Sequence, residues 1–156
     1  LPARAQTQLS GGAIIPQWLG QTGGAVIALS YEEIAEGYGY LYVGIGPRLY
    51  IFHVNLLAVP GPVLTYLGKT NPLPDIIQGV SMVWDTAYVS LGNSGLAVVN
   101  TVNKAVPVIT GLYDTPGFAR GLWFENSYAF IADGNFLCFH TYKRKNNVFS
   151  RSGDSY

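Results

Sequence analysis

Few residues in this chain have the types and spacing for chemistry. His53 follows Leu49-Tyr50-Ile51-Phe52 and His140 follows Phe136-Leu137-Cys138-Phe139, so the two hold equivalent places in similar segments. A metal ion would need a third donor close by, and the sequence offers none near either histidine. They are read instead as turn braces, since one neutral ring nitrogen accepts a hydrogen bond. Glu32, Glu33 and Glu36 could hold a cation through carboxylate oxygens, but a solvated acidic loop is the expected role. Arg48, Asp75, Asp114 and Asp133 all fall in turn segments. The strand order puts these turns on one face of the fold, and a ligand site, if the protein has one, is expected there. Asp114-Thr115-Pro116-Gly117 is first of all a turn signature: Asp accepts backbone hydrogen bonds, while Pro and Gly supply the backbone angles.

Several reaction classes find no support. No serine is paired with an evident base, and no glycine-rich phosphate loop leads into a helix. Gly44-Ile45-Gly46 follows a strand but runs into another strand, which removes the dinucleotide reading. Tyr38, Tyr40, Trp84, Trp123 and Tyr128 could stack on sugar rings, although packing between sheets is the expected use. The sequence therefore assigns no catalytic residue, no metal ligand and no cofactor.

The elements that must position these residues are short strands. The chain has 156 residues, enough for one domain, with 19 Gly, 9 Pro and 11 Tyr among 49% hydrophobic residues. Short apolar runs separated by Gly and Pro are the mark of a turn-rich all-β protein. Only 12% of residues are charged, about half the usual share of roughly 25%, so much of the surface is expected to be covered by partners. Net charge is zero, which argues against nucleic-acid binding, since that needs a basic face. The lone cysteine, Cys138, allows no internal disulfide and is expected to pack as a small hydrophobe. No apolar run reaches the roughly 20 residues of a membrane helix. The opening LPARAQTQ lacks the layout of a secretory signal, although it fits what remains after one is removed.

A repeat organises the chain. PVITGLYDTPGFARGLWFENSYAFIA from Pro107 can be laid over PVLTYLGKTNPLPDIIQGVSMVWDTAYVS from Pro62, and over PQWLGQTGGAVIALS from Pro16. The three prolines stand 46 and 45 residues apart. A period of that length with four short strands per unit points to propeller blades. Strands are predicted at 17–20, 25–31, 40–44, 49–54, 63–67, 76–82, 87–90, 96–100, 108–112, 118–124, 128–132 and 136–141. Residues 32–39 are predicted as an acidic loop or a single helical turn. Asp133-Gly134 between apolar runs is a strong hairpin signal. Apolar residues often occupy consecutive positions, as in YLYVGI, which requires strands buried on both faces.

These pieces resemble the LVIVD-repeat family of β-propeller proteins, found mostly on bacterial and archaeal surfaces or secreted. The matching segments are LYVGIGPRLYIFHV (41–54), AYVSLGNSGLAVVN (87–100), AFIADGNFLCFH (129–140), PVLTYLG (62–68) and PVITGLYDTPG (107–117). The likeness spans about 16–141. Where the family carries a strand-ending Asp, this chain has His53, Asn100 and His140. The resemblance implies the fold and an extracellular or cell-surface location; it implies no catalytic residues.

The expected organisation is an N-terminal arm (1–15), a propeller-repeat domain (16–141) and a basic tail (142–156). Within the domain a spare strand (16–21) precedes blades at about 25–67, 76–112 and 118–141. The last blade is one strand short. Three blades do not close a propeller, which takes about four to eight. The expectation is a partial propeller completed by strand exchange with another chain, Gln17, Trp18 and Leu19 pairing beside Phe136, Cys138 and His140. Such pairing makes a closed ring or a filament, according to whether the rotation closes. The implied function is a non-catalytic assembly scaffold, with a carbohydrate-binding surface module as the alternative. A fragment of a larger propeller, or an accessory subunit, is a further alternative.

Overall fold

The computed structural model describes residues 25–125, 128–134, 136–143 and 148–151. The described residues form twelve strands and no helix, hence no helix long and apolar enough to cross a membrane. The first sheet contains β1 (Val26–Ala35), β2 (Tyr38–Ile45), β3 (Arg48–Asn55) and β4 (Val63–Lys69). The second contains β5 (Gly79–Val83), β6 (Thr86–Ser90), β7 (Leu96–Asn100) and β8 (Val108–Tyr113). The third contains β9 (Ala119–Glu125), β10 (Tyr128–Asp133), β11 (Phe136–Lys143) and β12 (Val148–Arg151). Each sheet is an antiparallel meander in chain order.

Glycine sets the hairpins. Gly46, Gly92 and Gly134 stand just beyond the second strand of each sheet, with φ of 56°, 58° and 67°. Side chains larger than hydrogen are disfavoured in that region, so glycine permits the tight reversal. Trp84 also has positive φ, at 55°, in the β5–β6 turn, a rare conformation for a bulky residue. The repeat is visible in register. Asn55 pairs with Val63 and Asn100 with Val108. Both asparagines brace the loop that follows, Asn55 Oδ1 accepting from Leu57 N and Asn100 Oδ1 from Val102 N, each at 3.0 Å. The residue equivalent to Asn100 is thus Asn55. His53 instead stacks on Tyr38, ring centres 6.1 Å apart, and meets Tyr40 edge-on at 6.0 Å.

Three regions differ by more than two residues from those predicted. Residues 32–35 continue β1 and only Glu36 and Gly37 turn, because Glu32 and Glu33 pair with Tyr40 and Gly39. β5 begins at Gly79; the residues before it run across the end of the first sheet, Leu73 N donating to Pro47 O at 2.7 Å and Ile77 N to Gly46 O at 3.0 Å. The largest difference is at the C-terminal end. The third sheet is not one strand short. β12 lies in the segment expected to be a tail and pairs with β11, His140 opposite Arg151 and Lys143 opposite Val148. Its composition hid it: Val148-Phe149-Ser150-Arg151 is short and follows a basic, Asn-rich stretch that reads as solvated chain.

The sheets lie in series. β1 and β2 pack on β5, and β9 packs on β5 and β6. Two apolar clusters fill the seams. Tyr42, Leu49 and Ile51 of the first sheet meet Ala87, Val89, Ala97 and Val99 of the second. Tyr88, Leu96 and Val98 of the second meet Ala119 and Ile131 of the third, with the Tyr88 and Phe124 rings 4.1 Å apart. Each sheet in a seam removes apolar surface from water on both sides, which explains the consecutive apolar residues of β6 and β7.

Candidate functional site

The turn residues singled out for a ligand lie beside the connections that join one sheet to the next, and they have separate local partners. Arg48 Nη1 donates to Thr70 O at 2.9 Å. Asp75 Oδ1 accepts from Ile76 N at 2.7 Å in an exposed setting. Asp114 is exposed. Asp133 is fully buried and accepts from Thr115 Oγ1 and from Gly117 N, both at 2.8 Å. The carboxylate that braces the Asp114–Gly117 turn therefore comes from β10, across the chain, and converts Asp133 from a surface candidate into a structural clamp. Ser90 works similarly between sheets, its hydroxyl donating to Arg120 O.

A second polar group lies in the seam between the first and second sheets. Tyr42 and Tyr40 point from β2 toward the second sheet, and Glu32 stands opposite Tyr40 on the same face of β1. The Tyr42 hydroxyl donates to Glu32 Oε2 at 3.0 Å. Burial, and then the nearby Glu32 charge, push the Tyr42 phenol far above its ordinary range, so it stays protonated. Lys104 reaches in from the β7–β8 loop. Its Nζ donates to Asp85 Oδ1 and Thr101 O, each at 2.9 Å, and lies 4.9 Å from the centre of the Tyr40 ring. The Lys104 side chain is 13% exposed and that of Asp85 61%. The ammonium is held by two oxygens and a ring face, which makes it a brace between sheets. Sequence pattern did not single out Lys104 or Tyr42, since the pairings join residues 10 and 19 positions apart through sheet packing. Among the described residues no group of three or more His, Cys, Asp and Glu is placed to hold a metal ion.

Exposed apolar side chains gather on two sheet faces among the described residues. On the first sheet, Leu29 and Tyr31 of β1 share one face with Leu41 and Val43, then Tyr50 and Phe52, then Leu64 and Tyr66. Tyr66 contacts both neighbouring rings, at 6.2 Å from Tyr50 and 5.9 Å from Phe52. Leu29, Tyr31, Leu64 and Tyr66 are exposed, Leu29 at 65%. This face points away from the second sheet. At the other end of the series Trp123 pairs with Phe130 on the outward face of the third sheet, and Ala132 with Leu137. Trp123 is 66% exposed, and Tyr128 and Leu137 are exposed too. No described sheet covers either face. Soluble single chains rarely leave contiguous apolar patches of this kind open.

The residues expected to exchange strands fare differently. Gln17, Trp18 and Leu19, with the whole 16–21 strand and the 1–15 arm, lie outside the described residues. Phe136, Cys138 and His140 lie along β11, in register with Asp133, Ile131 and Ala129 of β10. Because β12 pairs with the other side of β11, β11 is not the open edge that exchange at these residues would require.

No protein-family model matches the chain, and no curated protein matches it. Among solved structures, the computationally designed Ika4 protein is similar in fold, with a TM-score of 0.62 over 87% of this chain and 76% of that one, at 9% sequence identity. At that identity the likeness speaks for the fold alone.

Proposed function

We propose that this chain is a non-catalytic β-propeller-repeat scaffold of the LVIVD type that acts outside the cell by assembling into a larger ring or filament. In this reading each four-stranded sheet is a blade. The supporting observation is the pair of apolar faces at the two ends of the three-sheet series, uncovered by any described sheet. A low charge content accords with it, since 12% charged residues solvate an isolated chain poorly. With β12 completing the third sheet, assembly is better served by the sheet faces than by an unfilled edge at β11. The experiment is the mass of the chain in solution by light scattering across a concentration series. Multiples of 16.9 kDa are expected, and a stable monodisperse monomer refutes the reading. Exposed Trp84 and Trp123 support a second reading, a carbohydrate-binding surface module, which uniform blanks on a glycan array would end.

A further inference from the structure

The two faces that no described sheet covers are of opposite kinds, and the repeat itself shows this. Counting back four residues from the turn glycines Gly46, Gly92 and Gly134 gives Tyr42, Tyr88 and Phe130; counting back three gives Val43, Val89 and Ile131. Tyr42 faces the second sheet and packs in the same cluster as Val89. Tyr88 faces the third sheet and packs in the same cluster as Ile131. Each internal seam thus joins the "minus four" face of one sheet to the "minus three" face of the next. Phe130 marks the outward face of the third sheet and Val43 that of the first. The series ends in one face of each kind, which is the combination the two internal seams already use.

We propose that the occupant of both faces is a second copy of this chain, docked head-to-tail, with the Trp123–Phe130 face of one copy against the Leu29–Tyr31 face of the next. The contact is heterologous, so it closes into a ring when the rotation allows and otherwise continues. Two copies would bring six sheets together, within the range of about four to eight that closed propellers use. Pairing unlike ends repeats the combination that both internal seams use, which pairing of like with like does not. The inference rests on the scaffold reading and names its partner and surface.

The test uses two variants of the full chain, Leu29→Glu with Tyr31→Glu for the first face and Trp123→Glu for the third, with Asp75→Ala as a distant control. All the substituted side chains on the faces are exposed, so folding is expected to persist, and circular dichroism verifies it. Leu29→Ser with Tyr31→Ser and Trp123→Ser serve as milder replacements if a glutamate variant unfolds. Each face variant alone is expected to fall to the mass of one chain, while the control keeps the wild-type mass. An equimolar mixture of the two face variants should recover a two-chain species, because each retains the face the other lacks. If the mixture stays monomeric, or only one variant dissociates the assembly, the head-to-tail geometry is overturned. Wild-type assembly that survives both variants overturns the docking surface while leaving the scaffold reading intact; a monomeric wild type overturns both.

Discussion

Asp133 is the residue whose replacement most directly tests how the sheets are tied. Its carboxylate is fully buried and receives two donors at 2.8 Å, the Thr115 hydroxyl and the Gly117 amide. Asp133→Ala leaves both donors without that acceptor. Hydrogen bonds to a charged group contribute about 1.5–3 kcal/mol each. The desolvation of the carboxylate offsets part of that sum, leaving a net loss of about 3 kcal/mol. For a chain of this size 1 kcal/mol moves the melting temperature by about 2–4 °C, so Asp133→Ala should melt about 6–12 °C below wild type. Thermal melts followed by circular dichroism at matched concentration supply the measurement. Asp75→Ala is the comparison, since among the described residues that carboxylate accepts from its neighbour's amide in an exposed setting, and its loss should shift stability by no more than about 0.5 kcal/mol. Melting temperatures for the two variants within 1–2 °C of each other, on the order of the scatter of exposed substitutions, would refute the assignment of Asp133 as the clamp.

Two further outcomes follow from the first seam. Tyr42 has a folded-state pKa raised by burial and by Glu32, so its stabilising contribution is complete below the unfolded tyrosine value of about 10 and declines above it, by about 1.4 kcal/mol per pH unit. Tyr42→Phe should flatten that alkaline limb, and parallel wild-type and variant stability curves between about pH 9 and 11.5 would refute the account. Gly68 faces the Lys104 and Ala105 carbonyls so closely that a Cβ would overlap them. Gly68→Ala should therefore cost about 1–3 kcal/mol in urea unfolding through overpacking of the seam, and an unchanged midpoint would show that the β7–β8 loop moves freely.

Much of the fold could be read from local pattern. Leu96–Asn100 was predicted with its observed bounds, and Val63, Val108 and Tyr128 were expected to open strands and do so. The reason is that a strand's apolar run and its flanking turn glycines are adjacent in sequence. Boundaries failed where cross-strand pairing outweighed composition. Residues 32–35 read as loop by composition, yet Glu32, Glu33 and Ala35 have partners across the hairpin.

The roles of polar residues were less legible. Asp75, Asp114 and Asp133 look alike in sequence, each an acid in a turn segment. Their environments separate them, because only Asp133 is carried by packing into a buried position opposite two donors. Lys104 likewise acquires its role from Asp85 and Tyr40, which different strands bring to it.

By itself, then, the sequence determined the all-β class, the period near 45 residues and the glycine-marked hairpins, since these depend on backbone geometry within a few residues. Only the tertiary structure decided that the third sheet ends in β12, that Asp133 is interior, and which two faces no described sheet covers. Those depend on which strand lies beside which, a matter of burial between segments distant in the chain, where a four-residue strand such as Val148–Arg151 carries too little pattern to announce its partner.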